Sequence, residues 1–385
     1  MKPGPRHIAS EIILRSAIVP IVRGLWRTRV VSGLEYLESG SCFLYGNHSN
    51  NFDPFLVNWP LPLGKASSGV LTAEYMQAGL TAAVFRNMGL LSTRKRVPEP
   101  HLVGRILRLL RDGRNVLIYP EGGRRWDGRP ARWIPSTAKL FARAGYPVHP
   151  VLTHGSYVAW PRWADWPRPA RIAVEILPAV DLTEVADTEE AVRRLAEPMD
   201  IDENIPPEHV LPRRAFRPAD GIHRLIYRDP RTGTPDALFT TDGHRIHSRD
   251  GGLDWLMMPD SRIMDRSTGE LLLTGDLYGQ ARSRISYAAG GLVTSSMVMM
   301  RRGSGLGSLS ARALTRASLH KDHIMLTGPV NTTYLDLSDV LFVGIERNYK
   351  LQLTGRDWLV ELAFHDGGSA LHWEDALFTL KAEGA

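Results

Sequence analysis

Between about residue 35 and residue 180 the chain alternates short apolar runs with stretches of helical periodicity. Runs at 42–46, 68–73, 115–119, 147–152 and 171–177 predict strands, and segments 74–86, 99–112, 136–144 and 187–198 predict helices. That alternation predicts an α/β domain on a largely parallel sheet, since parallel neighbours need a crossover connection, usually a helix. Thr188-Glu189-Glu190 sets acidic side chains at the positive end of the last of these helices. The following Ile205-Pro206-Pro207-Glu208-His209-Val210-Leu211-Pro212-Arg213-Arg214 reads as a linker or an ordered wrapping segment.

From about residue 220 the pattern changes. Short apolar or alternating runs recur between turn signals such as Asp229-Pro230, Asp242-Gly243, Asp250-Gly251-Gly252 and Gly290-Gly291. Ile222–Tyr227, Leu271–Thr274, Leu292–Met300, Val340–Ile345, Lys350–Thr354 and Trp358–Phe364 predict antiparallel strands, and Arg301–Ser310, rich in Gly and Ser, predicts a mobile loop. Leu371, Ala376, Leu377 and Leu380 have helical spacing at the end. Strands closed by one terminal helix resemble, in pattern, a pleckstrin-homology or GRAM-like barrel. The expected organisation is an α/β domain over 1–200, a linker over 201–216 and a β-rich domain over 217–385.

With 385 residues, 43% hydrophobic and 23% charged, the chain has room for two or three domains of ordinary globular character. One cysteine, Cys42, excludes an intramolecular disulfide and fits a reducing cytosol. Residues 1–200 hold 26 basic and 18 acidic residues, the remainder 21 and 23, so the basic surplus belongs to the first half and suggests an anionic partner there. The N-terminal run Ile12–Val22 is interrupted by Arg15 and Pro20 and is short of the ~20 residues that span a bilayer. Its Ile and Val side chains lie among Arg6, Arg15, Arg23, Arg27 and Arg29. That mixture suits either a helix in a membrane interface or an amphipathic helix packed on its own domain. Trp126, Trp133, Trp160, Trp163 and Trp166 leave a similar choice between a rim beside lipid and core packing.

The stretch richest in candidate chemistry is Asn47-His48-Ser49-Asn50-Asn51-Phe52-Asp53, directly after the strand at 42–46. A tight turn of this length can return the Asp53 carboxylate to the His48 ring, fixing its tautomer and leaving the other nitrogen free to take a proton. Taken alone, the same spacing also describes a loop with a helix-capping Asp53. Three further segments follow in order. Gly89-Leu90-Leu91-Ser92-Thr93-Arg94-Lys95-Arg96 sets three cations after an apolar run. Tyr119-Pro120-Glu121-Gly122-Gly123-Arg124-Arg125 follows the strand at 115–119. Pro147-Val148-His149-Pro150-Val151 is a strand in proline brackets.

In this order and spacing the four segments resemble the blocks of the glycerolipid acyltransferase family, with a pattern like that of 1-acylglycerol-3-phosphate acyltransferases. Asn47, His48 and Asp53 match the first block in full. Glu121, Gly122 and Arg124 match the third, where Gly123 stands for Thr and Arg125 for Ser. The resemblance covers roughly residues 30–180. It implies direct acyl transfer to a lysophospholipid or glycerol-phosphate-type hydroxyl, from an acyl-CoA or acyl-carrier-protein thioester as co-substrate and with no cofactor. His48 is then the general base and Asp53 orients it. Arg124, with Arg94 or Arg96, binds a phosphate. Glu121 positions an Arg or a glycerol hydroxyl, and Gly122 lets the backbone approach the substrate.

The implied partners are a membrane lipid acceptor and the membrane surface, with a peripheral place on its cytoplasmic face. Residues 86–132 carry twelve basic and four acidic residues, a landing surface for anionic lipid, coenzyme A phosphates or an acidic carrier, though Arg105, Arg108 and Arg111 also fit a solvated helix face. A rival reading is an inactive lipid-binding or scaffolding protein that keeps the fold. No nucleic-acid recognition motif occurs. His244, His247, His320 and His323 lack a Cys or carboxylate partner at a metal spacing.

Overall fold

Phe43, Leu44 and Tyr45 are fully buried. Phe43 and Tyr45 point into one hydrophobic cluster and Leu44 into another. The strand is therefore covered on both faces, as a central strand of a parallel sheet must be. The computed structural model describes residues 4–38, 40–72, 79–93, 100–285, 291–304, 309–365 and 367–383. The chain divides into two compact units, Met1–Arg162 with Pro167–Ala215, and Trp163–Trp166 with Phe216–Ala385.

In the first unit the elements are α1 (Pro5–Leu25), β1 (Arg29–Ser32), β2 (Phe43–Gly46), α2 (Asp53–Asn58), β3 (Ser68–Thr72), α3 (Gly79–Asn87), β4 (Leu90–Thr93), α4 (Pro100–Arg111), β5 (Val116–Ile118), α5 (Pro135–Arg143), β6 (Val148–His154), α6 (Ser156–Ala159), β7 (Ala173–Ile176) and α7 (Thr188–Ala196). The sheet runs β1-β7-β6-β2-β5-β3-β4. Every neighbouring pair is parallel except β6 with β7. The predicted α/β arrangement is thus present. Two strands are additional to those predicted: β1, a mostly exposed edge strand, and β4, whose apolar run is only two residues long. The helix expected over 74–86 is described from Gly79; the rest of that stretch lies outside the described residues.

Because β2 and β5 are parallel neighbours, the loops leaving their carboxyl ends start side by side. One loop carries Asn47–Asp53 and the other Tyr119–Arg125. Open α/β sheets bind ligands at that edge, where backbone and side chains leave the layer of strands. β6, on the other side of β2, brings Thr153 and then Ser156 to the same edge.

α1 is held by its polar side. Glu11, only 1% exposed, pairs with Arg15 at 2.5 Å and accepts the Gly64 N–H at 2.8 Å. Arg15 also donates to the carbonyls of Leu61 and Trp59 at 2.7 and 3.2 Å. Ile12, Ile13 and Ile21 are its exposed large hydrophobic side chains, at 48%, 50% and 45%. The helix is therefore packed on its domain, with part of its apolar face turned outward. Among the described residues no helix is long and apolar enough to cross a membrane.

The second unit holds an antiparallel sheet in the order β12-β11-β10-β9-β8, made of β8 (Leu238–Thr241), β9 (Arg245–Ser248), β10 (Asp254–Met257), β11 (Ile263–Asp265) and β12 (Leu271–Leu272). α8 (Thr274–Ser283) precedes a second sheet of β13 (Leu292–Ser304), β14 (Ala313–His320), β15 (His323–Thr327), β16 (Thr332–Asp336), β17 (Phe342–Glu346), β18 (Lys350–Thr354) and β19 (Trp358–Phe364). Its order is β16-β15-β14-β13-β19-β18-β17, all antiparallel, and α9 (Ala370–Glu383) packs against β17 and β18. The β-rich expectation holds, with corrections. Ile222–Tyr227 contains a 3-10 turn at Ile222–Arg224 and no strand, because its buried Ile222, Leu225 and Ile226 have i, i+3, i+4 spacing. Leu271–Thr274 is strand only to Leu272, since Thr274 opens α8 with Asp276 in its first turn. Arg301–Ser304 continues β13, paired with β19, while residues 305–308 lie outside the described residues.

Removing the anchor of α1 should be costly. Glu11→Ala leaves Arg15 and the Gly64 N–H without their carboxylate, and should destabilise the first unit by on the order of 3 kcal/mol. Denaturant unfolding and the rate of tryptic cleavage within α1 check this; an unchanged midpoint would show that the pair does not anchor the helix.

Candidate active site

The loop after β2 is shaped by one carboxylate. Asp53, the first residue of α2, is 0% exposed. Its Oδ2 accepts the backbone N–H of Ser49 at 2.7 Å and of Asn50 at 2.8 Å, and lies 2.9 Å from Nδ1 of His48. Its Oδ1 accepts the hydroxyl of Ser156. A carboxylate held by two backbone donors is not free to turn. It therefore demands a proton on Nδ1 and leaves Nε2 of His48 with its lone pair. Asp53 thus partners the ring and closes the loop; it does not cap α2, whose N-cap position is Phe52 with no side-chain cap bond.

Burial lowers the His48 pKa from its ordinary 6.5; Asp53 opposes this, while the charges of Arg124 and Arg162 add to it. The imidazole is neutral at pH 7, the form a base needs. Its ring stacks on Tyr119 with centroids 4.2 Å apart. The Tyr119 hydroxyl is buried without a hydrogen-bond partner among the described residues, and burial holds its pKa well above the usual range.

The third segment enters through the backbone and one arginine. The Arg125 N–H donates to the His48 carbonyl at 2.6 Å. Its guanidinium, with no side-chain exposure, donates to Glu121 Oε1 through Nη2 at 2.7 Å and through Nε at 3.0 Å. It also reaches Glu203 at 3.3 Å and the carbonyls of Met199 and Ile201 at 3.1 and 3.3 Å. Burial alone would lower the Arg125 pKa, but Glu203 and Glu121 outweigh it and raise it. Glu121 therefore holds an arginine, and that arginine is Arg125, one of the two residues of this segment that depart from the family pattern. Glu203 Oε1 accepts from Asn47 Nδ2 at 2.8 Å and Oε2 from the Ser49 hydroxyl at 2.6 Å. Burial pushes the Glu203 pKa up to about 7 despite Arg125.

Arg124 is half-buried, and its charge reaches His48. Its carbonyl accepts from Arg162 at 2.9 Å, and the Arg162 guanidinium lies over the Trp126 ring at 4.3 Å. Gly122 has φ 69°, in the left-handed region that favours glycine, which turns the chain between Glu121 and Arg124. Arg94, Lys95 and Arg96 lie outside the described residues; β4 is described to Thr93. His149 is buried, its Nδ1 2.9 Å from the Leu177 carbonyl and its ring stacked on Tyr36, which makes it a core histidine. Trp126, Trp133 and Trp163 are buried, while Trp166 is exposed. Arg105, Arg108 and Arg111 form an exposed face of α4. Among the described residues no group of three or more His, Cys, Asp or Glu side chains is arranged to hold a metal ion.

The structure thus gathers His48, Asp53, Glu121, Gly122 and Arg124 at one edge of the sheet, and adds Ser156, Arg162 and Glu203. Ser156 follows β6 by two residues, so its placement could be anticipated from the strand. Glu203 falls in the stretch 201–216 read as a linker, and no local pattern marks it.

Residues 28–154 match the family model described as Acyltransferase. The chain is 27% identical over 162 residues to a 1-acyl-sn-glycerol-3-phosphate acyltransferase of Pseudomonas aeruginosa, covering 39% of this chain and 62% of the relative. It is 23% identical over 154 residues to a protein of the same name from Limnanthes alba, covering 39% and 54%. The chain thus spans between half and two thirds of these relatives' own length. A crystal structure of the 1-acyl-sn-glycerophosphate (LPA) acyltransferase from Thermotoga maritima aligns with 49% of this chain and 79% of that one, at 18% identity and a TM-score of 0.40. The similarity to acyltransferases found by the family model thus falls within the first unit.

The geometry around His48 has a direct test. Its imidazole should titrate below 6.5, and Asp53→Asn should lower the pKa further by removing the carboxylate that favours the imidazolium. Histidine-labelled NMR titrations of the two proteins measure both; a midpoint above 6.5 would contradict the burial of the ring.

Proposed function

We propose that this chain transfers a fatty acyl group from the thioester of acyl-CoA or an acyl carrier protein to the hydroxyl of a lysophosphatidate-type acceptor, without a cofactor. The observation that carries the reading is His48, with Nδ1 bonded to Asp53 at 2.9 Å and Nε2 left to accept a proton at the carboxyl edge of the sheet. In the proposed reaction Nε2 takes the acceptor's hydroxyl proton as that oxygen attacks the thioester carbonyl. The tetrahedral adduct collapses, the carbon–sulfur bond breaks, and the imidazolium returns the proton to the departing thiolate. Asp53 stabilises the imidazolium between the two transfers. Cys42 takes no part: it is buried, and burial pushes its thiol up to about 12.

Arg124 is the proposed phosphate ligand, joined by Arg94 or Arg96. The names of the Pseudomonas and Limnanthes relatives support a glycerol-phosphate acceptor. The exposed Ile12, Ile13 and Ile21 of α1 and the basic surplus of the first half support peripheral attachment to the cytoplasmic face of a membrane. For the second unit we propose a pleckstrin-homology-like barrel. Its support is a four-strand meander and a three-strand meander joined by the β13–β19 pair, followed by α9 on β17 and β18.

His48→Ala should lower kcat by ~10²–10⁴-fold, and Asp53→Asn should lose a comparable factor. The double substitution should cost little more than the worse single one, because both act on one proton transfer. Arg124→Ala should instead raise the KM for the phosphate-bearing acceptor. Acyl transfer to a panel of lysolipids, followed by mass spectrometry with matched thermal melts, measures all three. Wild-type turnover by folded His48→Ala would leave an inactive scaffold with this fold as the better reading.

Attachment to membranes is a separate expectation. Anionic vesicles should pellet the protein at low salt, and high salt should release much of it. Resistance to salt and to alkaline carbonate alike would mean an integral anchor.

A further inference from the structure

Glu203 lies beyond the residues 28–154 that match the family, yet it is 3% exposed and bound into the loop that carries His48. Its two oxygens divide their donors. Oε1 takes Asn47 Nδ2 at 2.8 Å, while Oε2 takes the Ser49 hydroxyl at 2.6 Å and Arg125 Nη1 at 3.3 Å. Asn47 and Ser49 are the residues immediately before and after His48, so one carboxylate ties down both sides of the residue that bears the imidazole. A third tie is the Arg125 N–H on the His48 carbonyl, and the same arginine is held by Glu203.

The other holds on this loop come from different directions. Asn47 Oδ1 accepts the Thr153 N–H of β6 at 2.9 Å, and the Ser49 N–H goes to Asp53. These fix the path of the backbone. The Asn47 amide nitrogen, which also reaches the Thr153 carbonyl at 3.4 Å, and the Ser49 hydroxyl make their shorter bonds to Glu203. A neutral or apolar side chain of the same volume would fill the space, but it could not accept from three donors at once.

We propose that Glu203 is a positioning residue for His48, a carboxylate supplied from outside the family segment that clamps Asn47, Ser49 and Arg125 and so aims the imidazole. The inference rests on the reading of His48 as the base. A clamp of this kind acts on the chemical step and leaves acceptor binding alone, since displacing a reacting group by about an ångström can cost on the order of 10²-fold in rate. The amide of Glu203→Gln keeps the shape but turns one acceptor into a donor facing other donors.

The test compares the full-length wild type with Glu203→Gln and Ser49→Ala, each checked by thermal melt. The first readout is kcat and KM for acyl-CoA with lysophosphatidic acid. The second is the downfield NMR resonance of the His48 Nδ1 proton in its bond to Asp53. The expected result for Glu203→Gln is a ~10-fold or greater loss in kcat with KM within about twofold, together with exchange broadening of the Nδ1 resonance. Ser49→Ala removes one of the three donors, leaves Glu203 paired with Arg125, and should show the same effects more weakly. It carries the test if Glu203→Gln does not fold. Unchanged kcat and resonance in the folded variants, or a loss confined to KM, overturns the proposal. If the wild type transfers no acyl group, the proposed function fails on its own. The Nδ1 resonance still decides whether Glu203 positions His48: broadening in the variants supports it, and an unaltered signal overturns it.

Discussion

A carboxylate taken out of water has to be met by donors, and Asp53 meets that demand with two backbone N–H groups, one imidazole and one hydroxyl. Those four bonds explain much of the first unit's local structure. The loop after β2 must curl tightly enough to bring Ser49 and Asn50 onto Oδ2. α2 must begin where it does, so that its first residue faces back toward the strand. β6 must end beside β2, so that Ser156 reaches Oδ1. The His48 tautomer follows from the same carboxylate. Asp53 thus joins a folding requirement, satisfaction of a buried charge, to a chemical one, a ring nitrogen free to take a proton.

The third segment solves a similar problem with an arginine. Where the family pattern has Thr and Ser, this chain has Gly123 and Arg125. In the fold the Arg125 guanidinium turns inward between Glu121 and Glu203, with no exposed side-chain surface. Five donors in a rigid fork suit a cavity with two carboxylates and two backbone carbonyls, which a lysine could not satisfy in the same way. Of the adjacent arginines, Arg125 is structural, and Arg124 is the one whose charge acts on His48.

The two ends of the chain show how much context decides the meaning of an apolar pattern. α1 mixes isoleucines with arginines. Its burial is set by the ion pair of Glu11 with Arg15, which anchors the polar side and leaves three isoleucines outward. In the second unit, β8 to β11 and β14 to β16 were absent from the sequence-based strands. β9 reads Arg-Ile-His-Ser and β14 reads Ala-Leu-Thr-Arg-Ala-Ser-Leu-His. Such segments gain strand character from cross-strand pairing, as in the register of β13 with β14 from Met300 opposite Ala313 to Ser295 opposite Ser318.

The sequence by itself determined the alternation that builds the first sheet, because continuous apolar runs such as Cys42–Tyr45 and Val116–Ile118 have few other ways to be buried. It also determined the order of the four motifs and the closeness of His48 to Asp53, since both lie in one turn and a short loop leaves little choice. Only the tertiary structure decided which groups complete the site. Ser156 is 103 residues from Asp53, and Glu203 is 154 from Ser49 and 78 from Arg125. No local periodicity encodes such pairings. They arise because parallel strands bring distant loops to one edge, where each buried charge binds whatever donor the fold delivers.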